Sequence, residues 1–390
     1  MEIRELVHQI HSSGYGFVLA VTGGGTEALG ELLRYGGGSA TLLEAMVPYS
    51  PQSLDAFIGK EPEKYASVIT ARAMAMAAFQ KAMILQASGQ KGSEHLLGIG
   101  ATCTLARTGE RKGRQHELHM AVQSLRSTTT YSIRFLEKRD REHEEKIVAR
   151  SIINMIASAC GMDVIITDGT GLSFHERPQV ERAQVTGAIA DMLLHEADPS
   201  SRVPSCVNMS GQKRYTHRSH RVIFPGSFDP CHENHVEMAQ VAYRKYGLPV
   251  DFEISLLNVD KPPIDYISLE ERISSIKVRH GPVPMGDIFV TNAPLFAEKA
   301  IIFPESTFIV GADTIKRLFD PRYYRPGDSL SSLLELFRTK GIDFLVFSRK
   351  GIQIEIPAEA GPIVTMVPEE EYCDHGISST QIRRSQQSKR

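Results

Sequence analysis

The chain has no tryptophan, and its five cysteines (Cys103, Cys160, Cys206, Cys231 and Cys373) are odd in number and never spaced C-x-x-C. That argues against a disulfide framework or a thiolate zinc site, and predicts a reducing, cytoplasmic setting. An excess of one charge is also missing. The formal net charge is -2, so nothing in bulk electrostatics points to nucleic acid or an anionic membrane. Residues 1–5 carry early acids and no apolar core, so no secretory signal is expected. No apolar run reads as long enough to span a bilayer.

What is present is ordinary globular composition, 42% hydrophobic and 23% charged, on 390 residues, which is long enough for two domains. The clearest seam is residues 197–219, where prolines, small polar residues and the basic stretch 211–218 interrupt apolar periodicity. This predicts a domain at 1–196, a solvated linker at 197–219 and a second domain at 220–390. Strands are expected at 17–22, 96–102 and 117–122 in the first domain, with helices at 26–35, 65–86, 139–159 and 180–194. The methionines of 65–86 read as packing residues. In the second domain, strand runs at 222–224, 252–257, 288–290, 307–310 and 344–347 alternate with helical runs near 236–246, 268–279, 312–319 and 331–339. The fold class is therefore α/β in both domains, with a doubly wound, Rossmann-like parallel sheet in the second.

The most informative stretch is Phe224-Pro225-Gly226-Ser227-Phe228-Asp229-Pro230-Cys231-His232-Glu233-Asn234-His235. A strand, a turn with glycine and a helix start bearing two histidines form a phosphate-binding device, because backbone N–H groups and imidazoles face an anion from one side. The stretch resembles the nucleotidylyltransferase superfamily signature G-[GST]-[ST]-F-D-P-x-H-x-G-H, with Asn234 at the family's last glycine. Three further segments stand where that superfamily places them: Gly311-Ala312-Asp313-Thr314 after a strand, Ile377-Ser378-Ser379-Thr380-Gln381-Ile382-Arg383 near the end, and Asn258-Val259-Asp260-Lys261 after the second strand. Together they resemble nicotinamide or nicotinate mononucleotide adenylyltransferases, with phosphopantetheine adenylyltransferase second.

The resemblance implies in-line attack of a substrate phosphate on ATP, with release of pyrophosphate. His232, His235 and Arg383 would be the catalytic groups. Gly226, Ser227, Phe228, Asn234, Gly311, Asp313, Ser378, Ser379 and Thr380 would bind the nucleotide, and Asn258 and Lys261 the acceptor. Mg²⁺ would be carried in by ATP rather than held by a protein cage. The implied partners are ATP and a mononucleotide or other phosphorylated small molecule; self-association stays open. Asp229 fits an N-cap or Asx-turn residue as well as a ligand, and Lys261 fits a solvated loop charge equally well. Glycine at 234 would be expected to restore room for the nucleotide. A non-catalytic nucleotide sensor is the rival reading.

In the first domain, Ala20-Val21-Thr22-Gly23-Gly24-Gly25-Thr26, Gly37-Gly38-Ser39-Ala40 and Tyr49-Ser50 resemble the C-terminal domain of the competence-damage-inducible protein family, whose active members deamidate nicotinamide mononucleotide. Val21, Gly23 and Leu54 replace the family's glutamate, cysteine and lysine. Thr22 with Tyr49 therefore reads as the remnant of a site, since an amidohydrolase needs a base beside its nucleophile. The glycine turn serves equally as a phosphate cradle or a tight helix entry. Both resemblances point to the same mononucleotide.

Overall fold

The computed structural model describes residues 1–86, 92–109, 113–194, 203–210, 219–259, 261–279, 284–325, 327–349, 351–372 and 374–387. The basic stretch 211–218 and Cys373 lie outside them. Contacts divide the chain into two units, Met1–Pro199 with Asp260–Ile267, and Ser200–Val259 with Ser268–Arg390.

The sheet of the first unit runs in the order β2 (Leu42–Met46), β1 (Gly16–Thr22), β3 (Leu96–Thr104), β4 (His116–Ser124), β5 (Ser127–Phe135), β6 (Gln179–Gln184). β1 pairs in parallel with β2 and β3, and the other pairings are antiparallel. Its helices are α1 (Ile3–His11), α2 (Glu27–Arg34), α3 (Pro51–Ile58), α4 (Val68–Gln86), α5 (Arg141–Ala159) and α6 (Gly187–Leu194). One sheet face, with Phe17, Leu19, Val21 and Ile99, packs on Leu6 and Ile10 of α1 and Ile152 and Ile156 of α5. The other face takes α4 unusually close. A Cβ on Gly98 would stand 2.1 Å from the Ala75 oxygen and the Phe79 nitrogen, and one on Gly100 2.5 Å from the Ala71 oxygen. Glycine on the strand and alanine on the helix thus set this spacing.

Two expectations for this unit change. Residues 180–194 were expected to be one helix, yet 179–184 form β6. The strand pairs along the otherwise open edge of β5, and its mostly exposed, polar side chains suit an edge position. Helix α4 spans 19 residues and is long and apolar enough to cross a membrane, against the expectation that no run would be. Of its apolar window 56% is buried inside the unit, as for a core helix, and Met74 and Met76 are packed there.

In the second unit the strands are β7 (Cys206–Asn208), β8 (Arg221–Pro225), β9 (Val250–Ser255), β10 (Met285–Thr291), β11 (Ser306–Gly311), β12 (Ile342–Phe347) and β13 (Val364–Met366). The helices are α7 (Glu233–Tyr246), α8 (Tyr266–Arg279, from Ser268 on in this unit), α9 (Phe296–Ile302), α10 (Ala312–Leu318), α11 (Leu330–Thr339) and α12 (Ser379–Gln387). The sheet order is β13-β12-β11-β8-β9-β10-β7, parallel from β13 through β10. Counted from β8, this is the doubly wound order in which the winding reverses between β8 and β11. Ligands of such sheets bind beyond the strand carboxyl ends at that reversal. Both glycine-bearing turns, after Pro225 and at Gly311, leave the sheet there.

The expected linker is corrected at this point. Residues 206–208 form β7, antiparallel to β10, with Val207 opposite Val290. Ser205 N donates to Asn292 Oδ1 at 2.7 Å and Asn292 Nδ2 to Val203 O at 3.1 Å. Unpaired backbone on β10 would be a sheet edge, and this segment covers it. Residues 261–267 were expected in the second domain but pack within the first unit, where Tyr266 is fully buried and its hydroxyl donates to Leu125 O at 2.6 Å.

Candidate active site

β8 ends in a turn whose shape follows from Phe228. This residue is buried with a φ of 45°, and its ring meets Phe224, Phe252 and His235 edge-on. A Cβ at position 226 would lie 2.7 Å from Phe228 Cζ, so glycine is required for the ring to fold back. Cys231 N donates to Ser275 Oγ of α8 at 2.6 Å and fixes the exit of the turn.

α7 then starts at His232. The backbone N–H of His232 donates to Nδ1 of His235 at 3.2 Å, so His235 is the Nε2–H tautomer and keeps that nitrogen as a donor. The two imidazoles stack with centroids 3.8 Å apart. Burial among the phenylalanines, reinforced by the neighbouring His232, pushes the His235 pKa down to about 3. His232 is lowered too, by burial and then by the guanidinium charges of Arg279 and Arg349. Both rings are thus neutral at physiological pH. His232 and Asn234 are each 6% exposed. Among the described residues, His232 Nδ1 and Asn234 Oδ1 are buried without a hydrogen-bond partner. Buried polar atoms are nearly always paired, so these two leave hydrogen-bonding capacity open beside the turn.

The C-terminal motif closes on the same turn. Ser378 and Gln381 form a reciprocal cap: Ser378 N donates to Gln381 Oε1 at 2.9 Å and Gln381 N to Ser378 Oγ at 3.3 Å. Ser379 Oγ donates to Pro230 O at 3.1 Å, and Arg383 donates to the Asp229 carbonyl. Arg383 also pairs with the Asp229 carboxylate at 3.2 Å, as does Arg272 at 3.2 Å, and it donates to Thr380 Oγ1 at 3.3 Å. The hydroxyls of 378–380 therefore build the helix start, and of the first-turn amides of α12 Gln381 N is capped by Ser378 while those of Ser379 and Thr380 precede any intrahelical acceptor.

Asn234 has work inside the protein. Its Nδ2 donates to Asp374 Oδ1 at 2.7 Å and to Ile377 O at 3.3 Å, tying α7 to the segment that leads into α12. Asp313, in the first turn of α10, pairs with Arg349 Nη1 at 2.5 Å, while Arg349 Nε lies 4.0 Å from Asp374. Gly311 has open space where a Cβ would be. Ser227 and Asn258 are exposed. Lys261 is exposed and falls in the segment that packs with the first unit. The sequence reading missed Arg272, Arg279, Arg349 and Asp374. A basic residue just past the carboxyl end of a parallel strand was the available signal for Arg349. Burial pushes the Cys231 thiol up to about 11, which leaves it a bystander.

In the first unit, Thr22 and Tyr49 do not form a pair. Thr22 Oγ1 donates to Pro48 O at 3.0 Å, and Tyr49 is 66% exposed. The glycine turn is already filled by the chain's own carboxylate. Glu145 accepts from Gly25 N at 2.8 Å, Thr26 Oγ1 at 3.1 Å and Glu27 N at 3.3 Å. This decides between cradle and helix entry, because the amides that would face a phosphate face Glu145.

The doubly wound sheet carries a histidine-bearing turn at its reversal and a Ser/Thr/Arg helix start over it, which gives this end of the second unit anion-binding groups. Residues 223–385 match the cytidylyltransferase-like family, and the second unit is a nucleotidylyltransferase domain. No curated protein matches the chain. Solved structures similar to the N-terminal half are competence-damage proteins. One is the competence/damage inducible protein CihA from Agrobacterium tumefaciens, at 17% identity and a TM-score of 0.30, over 41% of this chain and 92% of that one. Another, the competence or damage-inducible protein from Enterobacter asburiae, gives 15% and 0.31 over 41% and 98%. The competence-damaged superfamily protein from Klebsiella pneumoniae gives 13% and 0.30 over 41% and 96%.

Proposed function

We propose that the second unit transfers an adenylyl group from ATP to nicotinamide or nicotinate mononucleotide, giving an NAD-type dinucleotide and pyrophosphate. One observation carries the reading. The hydrogen bond from Ser379 to Pro230 and those from Arg383 to Asp229 bring a helix start and a guanidinium to the turn that bears His232 and His235. In-line transfer needs no covalent nucleophile; it needs two anions aligned and donors where negative charge grows. His235 holds its Nε2–H for a phosphoryl oxygen, and the neutral pair spares the site a proton transfer. The amides opening α12 and the Arg383 guanidinium receive the β- and γ-phosphates. Mg²⁺ arrives on those phosphates, and charge neutralisation is what it supplies. Asp229, flanked by Arg272 and Arg383, positions the two arginines and is already paired.

The acceptor rests on the motif resemblance. The test is purified chain with Mg²⁺, ATP or CTP, and a panel of phosphorylated acceptors including phosphopantetheine, read by pyrophosphate release and product mass. CTP is included because the matching family is described as cytidylyltransferase-like. Pyrophosphate and a dinucleotide with the nicotinamide acceptors support the proposal; turnover only with another acceptor replaces it.

A further inference from the structure

Arg349 follows β12 and Asp313 follows β11, and these strands are parallel neighbours with Gly311 opposite Phe347. Their side chains therefore meet past the carboxyl edge of the sheet, next to the reversal point. The pair they form at 2.5 Å is solvent-exposed, with 44% of the Arg349 side chain and 53% of the Asp313 side chain accessible. Exposed pairs of this kind contribute little to stability and exchange partners readily. The resemblance implies that Asp313 would bind the ATP ribose hydroxyls, and Arg349 already occupies its Oδ2, so the pair and nucleotide binding compete for that oxygen. Arg349 also acts on the histidine turn, since its charge helps to lower the pKa of His232. A second nitrogen, Nε, lies 4.0 Å from Asp374, which Asn234 holds in place.

We propose that Arg349 is a phosphate ligand of this site, stored on Asp313 until a triphosphate takes it over. Transfer of the guanidinium to the polyphosphate exchanges an exposed, weak pair for a planar fork on phosphate oxygens. The same movement frees Asp313 for the ribose. Binding of the polyphosphate and of the nucleoside are thereby coupled through one ion pair. This rests on reading the second unit as a nucleoside-triphosphate site, but it does not depend on which acceptor is used.

The test is titration calorimetry on the full-length chain with Mg²⁺, using inorganic tripolyphosphate and ATP as separate probes. Arg349→Ala should weaken both on the order of tenfold or more, as expected for loss of a charged hydrogen-bonding partner. Arg349→Lys should fall between parent and alanine, because it keeps the charge and loses the fork. Asp313→Asn should bind tripolyphosphate at least as tightly as the parent, having released Arg349, while losing affinity for ATP. Equal tripolyphosphate affinity in Arg349→Ala and the parent would overturn the assignment and leave nucleotidyl transfer standing. So would a parent chain that binds no tripolyphosphate, or an Asp313→Asn variant as weak toward it as Arg349→Ala. If the Arg349 effect is seen but nicotinamide acceptors give no pyrophosphate, the assignment holds and the acceptor reading fails.

Discussion

Asn234 Nδ2 donates to Asp374 Oδ1 across 2.7 Å, joining the first turn of α7 to the segment that opens α12. The superfamily has glycine at this position, and glycine alone would be expected to enlarge the nucleotide site. The hydrogen bonds to Asp374 and Ile377 reverse that expectation. Asn234→Gly should raise KM for the triphosphate severalfold and lower stability by about 1–2 kcal/mol, through two lost hydrogen bonds and a glycine near a helix start. Steady-state kinetics with a melting curve checks this. A rise in kcat/KM would show that room for the nucleotide matters more than the anchored segment.

The histidine turn predicts a pH dependence of stability. The folded His235 has a pKa near 3, below its ordinary value of about 6.5, so the unfolded chain binds more protons between these limits. Stability is complete above pH 6.5 and falls as the pH drops from there toward 3. His232 acts in the same direction. Glu117 and Glu176 are lowered from about 4.5 to about 2, so what they contribute is lost only below pH 4.5 and the interval from pH 6.5 to 5 is left to the imidazoles. Urea denaturation at pH 7.5 and pH 5 should show a smaller loss for His235→Gln than for the parent. An equal loss would place the acid sensitivity elsewhere.

A stability effect under the turn comes from β9 and α9, where Glu253 stands opposite Pro225. Lys299 Nζ pairs with Glu253 Oε1 at 2.7 Å, their side chains 6% and 1% exposed, and Thr291 Oγ1 donates to the same oxygen at 2.6 Å. Lys299→Met leaves a buried carboxylate without its counter-charge and should cost about 3–5 kcal/mol. Adding Glu253→Gln should recover much of that. Thermal unfolding of both variants decides; a double variant as unstable as the single one would show that packing, not charge, is lost.

In the first unit, Glu145→Ala removes the carboxylate that caps α2 and should destabilise by about 1–2 kcal/mol. Thr22 gives its proton to a carbonyl and has no base, so the chain should release no ammonia from nicotinamide mononucleotide. Thr22-dependent ammonia release in a coupled assay would make the protein bifunctional.

The doubly wound half was legible in sequence where buried parallel strands are apolar runs ending near a glycine or asparagine, as at Val310-Gly311. β5 was missed because Ser127-Thr128-Thr129-Thr130-Tyr131-Ser132 is polar, although β-branched residues favour a strand. β6 and β7 carry little apolar signal and owe their state to the edges they cover. The candidate site was legible where residues are sequential, at 224–235 and 377–383. The pairs Asn234–Asp374 and Asp313–Arg349 join distant segments, and no local spacing encodes them.

The central claim is that the second unit performs nucleotidyl transfer through the histidine turn. Pyrophosphate release from ATP with nicotinamide or nicotinate mononucleotide, by the full-length chain and by His235→Ala, measures it most directly. Turnover is expected in the parent, with a loss on the order of 10²–10³ in kcat for the variant, the scale of removing one donor from a preorganised anion site. A folded His235→Ala chain within a few-fold of an active parent would contradict it.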